Sequence, residues 1–138
     1  MSVTMRLQLS FNSGKPVYLQ IVDQVKSAAA SGALRAGEGL PSIRPLAEQL
    51  RVNRNTVAKA YSELESQGVI ETLAGKGCFL RENSSPLKKE ARHRLLAQDI
   101  DAAVVQAHHL QVPKEEFLTL VRERVEVFAE KNNEKEKR

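Results

Sequence analysis

The sequence is poor in the residues that build disulfide frameworks, aromatic cavities and membrane spans. It contains one cysteine, no tryptophan and only 4% aromatic residues among 138 positions. A single cysteine cannot form a disulfide within the chain or supply a cysteine-based zinc site. No window approaches the roughly 18 consecutive apolar residues of a membrane helix, and the N-terminus lacks the apolar stretch of a signal peptide. We therefore expect a cytoplasmic protein without a membrane partner.

Motifs of enzymes and of metal sites are equally scarce. The GKG segment at residues 75–77 lacks the spacing of a phosphate-binding Walker loop, because Cys78 follows it, and is better interpreted as a tight turn. His108 and His109 are adjacent, so on a helix they would point about 100° apart and could not bind one metal ion together. No nucleophile lies beside a base in a recognisable pattern. We therefore expect no catalytic residues, no cofactor and no metal site.

The composition is that of a folded, basic protein. Apolar residues make up 41% and charged residues 28% of the chain, which is enough for a core and argues against wholesale disorder. The length allows one ordinary domain, or one small domain with an appendage. A formal net charge of +4 permits a polyanionic partner without proving one.

Apolar periodicity predicts a strand and three helices in the first half of the chain. Leu7, Leu9 and Phe11 alternate with polar residues, as in a short half-buried strand. A helix is predicted after Pro16. A second begins at Ser42, whose hydroxyl suits an N-cap, and a third spans residues 54–67. Residues 69–73 and 78–81 are predicted strands, joined by a glycine-bearing hairpin loop.

The second and third predicted helices are joined by a turn of only three residues, which indicates a helix-turn-helix. Residues 51–59 carry three positive charges and no acid. Arginine can bond two acceptors on guanine, asparagine suits adenine, and threonine or lysine can hold phosphates. The outer face of the third helix offers these side chains at Asn53, Arg54, Asn55, Thr56 and Lys59.

The hairpin that follows the third helix adds a wing to this motif. Lys76 lies between glycines, which permit close approach to a DNA backbone or minor groove, so Gly75 and Lys76 form the predicted wing tip. Two simpler interpretations remain open. The polar face of the third helix could be ordinary solvated surface. Arg44 could pair with Glu48 one helical turn away instead of contacting DNA.

Four segments closely resemble the GntR family of bacterial transcriptional regulators. They are PVYLQI (16–21), GEGLPSIRPLA (37–47), VNRNTVAKAY (52–61) and GKGCF (75–79), in the family's order and spacing. The resemblance implies a homodimer that reads a pseudo-palindromic operator. It also implies that Arg44 and Arg54 reach base edges or adjacent phosphates. Many members have a basic residue where Ala58 stands, so that contact is implied to be missing here.

The chain after Glu82 is too short for the family's usual effector or aminotransferase-like domain, and resembles the YtrA-like subfamily. That subfamily has a short helical hairpin that serves for dimerisation. The apolar stripes of two predicted helices cannot both be covered within such a hairpin, so either docking on the DNA-binding domain or pairing with a second chain must cover the rest. Pairing is favoured, because a dimer also explains recognition of repeated half-sites. The predicted dimerisation residues are Leu96, Ile100, Val104, Phe117, Val121 and Val125.

The predicted fold is mainly α with a small β-hairpin wing. Residues 1–82 form a winged helix-turn-helix domain with a short N-terminal strand, three helices and the wing. A linker at 83–86 is followed by a helical hairpin for dimerisation at 87–131 and a disordered tail at 132–138. The predicted function is a sequence-specific repressor that binds operator DNA as a homodimer, with any small-molecule effector unidentified. The alternative is a winged-helix module that binds another protein without operator specificity.

Overall fold

The computed structural model describes residues 6–81 and 89–136. The described residues form five helices and a two-stranded antiparallel sheet, so the predicted, mainly helical fold with a hairpin is confirmed. In chain order the elements are α1 (Val17–Ala30), α2 (Ile43–Leu50), α3 (Arg54–Ser66), β1 (Ile70–Leu73), β2 (Gly77–Leu80), α4 (Lys89–His109) and α5 (Lys114–Glu136). The predicted linker at 83–86 lies outside the described residues.

One closed core joins the first three helices and the hairpin. α3 packs against both α1 and α2, and β1 continues from α3 onto the same core. The apolar positions that repeat every three or four residues along α1 and α3 are the ones that become buried, as expected for amphipathic helices. Ile21, Val57 and Leu64 are completely inaccessible to solvent, and small Ala47 is 3% exposed where α2 meets the core.

The segment before α2 anchors the hairpin to the helices. Gly39 forms an antiparallel bridge with Phe79, and the Leu40 amide donates to the Cys78 carbonyl at 2.8 Å. The Leu80 amide donates to the Glu38 carbonyl at 2.9 Å. This short segment therefore acts as a third strand beside β2, and it fixes the wing relative to the start of α2.

A buried tyrosine connects α3 to the same segment. The Tyr61 hydroxyl donates a hydrogen bond of 2.6 Å to the Pro41 carbonyl, two residues before α2. Burial, with a smaller contribution from nearby Cys78, raises the pKa of the Tyr61 phenol well above its usual range. The phenol therefore stays protonated as a hydrogen-bond donor at physiological pH.

The prediction of a strand at Leu7–Phe11 is wrong. Leu7 and Leu9 do pack on the core, but the backbone of the intervening and following residues pairs with side-chain amides of α1 instead of with a strand. Gln24 binds the amide and carbonyl of Gln8, while Gln20 binds those of Ser10. Two glutamines one helical turn apart thus provide hydrogen-bond partners for the backbone groups of alternate residues in the N-terminal segment. These groups therefore do not require a neighbouring strand.

The second half of the described chain is built differently. α4 and α5 do not pack along each other, and none of their large aliphatic side chains among the described residues is buried. Of the predicted dimerisation residues only Phe117 is half-buried, while the exposed ones are Leu96 at 59%, Ile100 and Val104 at 49%, Val121 at 43% and Val125 at 63%. α5 continues to Glu136 and so includes most of the segment that we predicted to be a disordered tail.

Candidate nucleic-acid interface

The turn between α2 and α3 is fixed by backbone conformation and by one side-chain cap. Arg51 adopts a left-handed conformation, with φ 57° and ψ 45°, and ends α2. The Val52 amide donates a hydrogen bond of 3.0 Å to the Ala47 carbonyl. The Asn53 side-chain oxygen then accepts from the Asn55 amide at 2.8 Å and caps α3. Only the three residues 51–53 therefore separate α2 from α3, as a helix-turn-helix requires.

Ser42 precedes α2 as predicted, but its hydroxyl makes no capping hydrogen bond. Pro45 in the first turn has no amide hydrogen to donate, which reduces the number of donors that such a cap would satisfy.

A shallow, basic depression lies over the helix-turn-helix. It has a volume of about 460 Å³, and its charged lining consists of Arg44, Arg51, Arg54 and Glu48. Ala47, Val52 and Asn53 complete the lining. Three guanidinium groups against one carboxylate leave a positive surface beside the start of α3, which suits phosphate oxygens. The structure thus brings together the predicted residues Arg44, Asn53 and Arg54.

Arg51 was missed by the sequence-based set of DNA contacts. It was counted among the positive charges of residues 51–59 but was interpreted as part of the turn and not as a DNA contact. The structure places it, exposed, on the lining of the depression together with Arg44 and Arg54. Its positive charge inside a three-residue turn was the available signal, because a helix-turn-helix turn lies next to the helix that enters the groove.

The ion pair between Arg44 and Glu48 forms, but only weakly. The Arg44 Nε lies 3.6 Å from the Glu48 Oε1, and the two side chains remain 74% and 72% exposed. Exposed pairs one helical turn apart contribute only a few tenths of a kcal/mol. The pair therefore does not prevent Arg44 from turning toward an anionic ligand.

The outer face of α3 is polar and available. Arg54 and Asn55 are exposed, whereas Thr56 is half-buried. One turn later the Lys59 Nζ sits 4.2 Å from the ring centroid of Tyr18 on α1, a cation–π contact that holds the ammonium on that flank. Asn53 uses its side-chain oxygen as the cap, so its side-chain amide nitrogen is the group left for DNA.

The wing tip is a separate, exposed projection. Gly75 and Gly77 have φ of 76° and 107°, conformations that glycine adopts at low cost. Nothing lies within 4 Å of the position that a side chain at either glycine would occupy. Lys76 is exposed between them, and its amide donates to the Leu73 carbonyl at 2.9 Å. Gly75 and Lys76 therefore lie at the tip, as predicted, away from the lining of the depression.

Metal-binding clusters and membrane-spanning helices are both absent from residues 6–81 and 89–136. Within those ranges, no three His, Cys, Asp or Glu side chains are grouped closely enough to hold a metal ion. None of the described helices is long and apolar enough to cross a membrane.

The chain matches known proteins in sequence and in structure. Residues 17–80 match the family described as "Bacterial regulatory proteins, gntR family". The HTH-type transcriptional repressor YtrA of Bacillus subtilis is 35% identical over 117 residues, which cover 85% of this chain and 90% of that protein. These matches confirm the resemblance inferred from the sequence motifs.

Two solved structures extend the comparison. A transcriptional antiterminator from Listeria monocytogenes superposes with a TM-score of 0.76 at 34% identity, covering 87% of this chain and 90% of that one. The DNA-binding domain of AraR, solved in complex with an operator, superposes with a TM-score of 0.50 at 27% identity. It covers 56% of this chain and 99% of that one.

Proposed function

This chain is a DNA-binding transcriptional regulator that belongs to the gntR family of bacterial regulatory proteins, and we propose that it represses transcription by binding a pseudo-palindromic operator as a homodimer. The observation that carries the proposal is the basic depression, where Arg44, Arg51 and Arg54 converge beside the exposed start of α3. A positive surface at the end of a major-groove helix is the arrangement that operator recognition needs.

The contacts with DNA divide into three groups. Arg54 and Asn55, exposed on the first turn of α3, read base edges in the major groove. Arg44 and Arg51 hold the phosphates on either side of that groove, with Asn53, Thr56 and Lys59 in support. Gly75 and Lys76 bring the wing tip against the backbone or the adjacent minor groove.

The homodimer is supported by the exposed apolar surface of α4 and α5. Exposed aliphatic side chains on two long helices are costly in water, and contiguous apolar surface of this kind marks an interaction site. Since α4 and α5 do not cover each other within the chain, we assign their stripes to pairing between chains. A two-fold dimer also presents two copies of α3 to two half-sites.

The proposal of repression rests on the Bacillus subtilis relative, which is named a repressor. A dimer seated across a promoter would exclude RNA polymerase from it. Because the target is chromosomal DNA in a bacterium, we place this activity in the cytoplasm. Neither an effector ligand nor catalysis is part of the proposal.

A binding assay with a matched pair of variants tests the proposal. An operator is first selected with the full chain from a random duplex library, and its affinity is compared with that of scrambled DNA by fluorescence anisotropy. Arg54→Ala should weaken operator binding by about 1–3 kcal/mol, as expected for loss of a bidentate guanine contact. Arg122→Ala removes the same charge from an exposed position on α5 and should have little effect.

The outcomes separate the proposed function from its alternative. Operator binding that weakens steeply with added salt, together with loss of base preference in Arg54→Ala, supports the proposal. Equal affinity for selected and scrambled DNA would instead favour the winged-helix module that binds another protein.

A further inference from the structure

We propose that Asn132, near the end of α5, is a positioning residue that locks each winged domain onto the dimerising helices and thereby sets the half-site spacing that the dimer accepts. The inference rests on the proposed operator-binding homodimer. We name the contact between Asn132 and the Ala30–Gly32 end of α1 the clasp.

The clasp completes the hydrogen bonding at the end of α1. A helix leaves its last four carbonyls without partners inside the helix. Here the Ser27 carbonyl accepts from the Ser31 amide, the Ala28 carbonyl from the Leu34 amide, and the Ala29 carbonyl from the Gly32 amide. The last carbonyl, of Ala30, accepts at 2.5 Å from the side-chain nitrogen of Asn132, which is 102 residues away in sequence.

Gly32 makes room for this contact. It is buried with φ 77°, and a Cβ built on it would lie 3.1 Å from the Asn132 Cα and would overlap the Asn132 side-chain oxygen. The glycine therefore serves two purposes at once. It adopts the left-handed conformation that ends α1, and it lets the backbone of α5 approach closely.

The burial pattern along α5 points to the same place. From residue 118 to residue 133, the described side chains are exposed except at Val127, Phe128 and Asn132. Phe128 and Asn132 are four residues apart and so share one face of the helix. The partial burial of Asn132, together with its hydrogen bond, indicates a local docking point at the end of an otherwise exposed helix.

A docking point at this position has a consequence for DNA binding. α5 carries the stripe assigned to the dimer, while α1 packs on α3, which is assigned to the major groove. The clasp therefore connects the dimer interface to the reading helix through α1. A dimer held in this way presents its two reading helices at a fixed separation and rotation, whereas one without the clasp can follow half-sites that are displaced.

The test uses Asn132→Asp, with Asn133→Asp as the matched control. At neutral pH the aspartate cannot donate to the Ala30 carbonyl, and it places a negative charge at the C-terminal end of α1, where charge of that sign is unfavourable. Asn133 is its exposed neighbour, so the control has the same charge change on the same helix. Circular dichroism and sedimentation velocity verify that both variants fold and form the same oligomer.

The functional measurement is affinity for the selected operator and for versions with one or two base pairs inserted between the half-sites. Each inserted pair rotates one half-site by about a tenth of a turn. The parent and Asn133→Asp should discriminate against the insertions. Asn132→Asp should discriminate about fivefold less, the change expected from one ordinary hydrogen bond, with unchanged affinity for an isolated half-site.

A measurement without DNA distinguishes failure of the clasp from failure of the operator proposal. Nitroxides at Ser62→Cys on α3 and Glu126→Cys on α5, in a Cys78→Ser background diluted with unlabelled chain, report the distance between the two elements. A broadened distance distribution in Asn132→Asp alone supports the clasp. Parental distances and parental spacing preference in Asn132→Asp would overturn it. A parent without any operator preference would overturn the operator proposal, and with it the role of the clasp in spacing.

Discussion

The two halves of this chain handle their apolar residues in opposite ways. In residues 6–81 the aliphatic side chains of three helices and a hairpin converge on one core, and Leu64 has no exposed surface. In residues 89–136 the apolar stripes of two longer helices remain exposed, with Ile100 at 49% and Val125 at 63%. The first half therefore has a complete core of its own, whereas the second needs another surface to cover it.

This difference agrees with the roles that we propose, DNA recognition for the winged domain and dimerisation for α4 and α5. A domain that must present a reading helix at a fixed angle needs a closed core behind that helix. A dimerising element keeps its apolar surface for the second chain, as interfaces of permanent dimers do. The contrast implies a graded series of mutational effects, the largest of them in the core of the winged domain.

The core of the winged domain should be the most sensitive region. Leu64→Ala removes a fully buried leucine and should lower the free energy of unfolding by about 2–5 kcal/mol. Leu120→Ala makes the same chemical change at a side chain that is 48% exposed on α5. In urea denaturation followed by circular dichroism, it should shift the transition of the winged domain by less than about 0.5 kcal/mol. Equal effects would contradict the contrast.

Loss of a buried polar contact should likewise cost more stability than loss of an exposed one. Gln20 is 9% exposed and exchanges hydrogen bonds with Ser10, so Gln20→Ala should cost about 1–3 kcal/mol in the same denaturation assay. Gln24 makes the equivalent bonds to Gln8 at an exposed site. Gln24→Ala should cost less than half as much, because water replaces the lost partners. A larger loss of stability for Gln24→Ala would mean that the N-terminal segment is held mainly by the contact between Gln24 and Gln8.

Substitutions on α4 and α5 should change the association of two chains and not the folding of the winged domain. Ile100→Ala should weaken the dimer by about 1–2 kcal/mol for each chain, from the apolar surface that it removes, and should leave the unfolding of the winged domain unchanged. Gln106→Ala, an exposed change on the same helix, is the control. Sedimentation velocity over a range of concentrations gives the dissociation constant. An unaltered dissociation constant for Ile100→Ala would remove α4 from the interface.

The sequence was sufficient for the helices, the hairpin and most of the basic surface, because each depends on local signals. Amphipathic periodicity, a three-residue turn and flanking glycines are all visible in the order of residues. Contacts between distant residues were not predictable in this way. The amide pairing of Gln20 with Ser10, the bridge between Gly39 and Phe79, and the clasp at Asn132 each join segments without a shared pattern. Arg51 shows the intermediate case, in which the charge was evident but its position on the depression was not.

The smallest expected effect separates the two interpretations of Arg44. Glu48→Gln removes the carboxylate that faces Arg44 at 3.6 Å on an exposed surface, so the free energy of unfolding should change by less than about 0.5 kcal/mol. If Arg44 holds a phosphate, operator affinity should instead rise, and more so at low salt, because the depression loses its one negative charge among the lining residues. Glu116→Gln changes the net charge equally on α5 and should not raise affinity to the same extent. A stability loss without any gain in affinity would show that the ion pair is the main role of Arg44, and would leave Arg51 and Arg54 as the arginines of the interface.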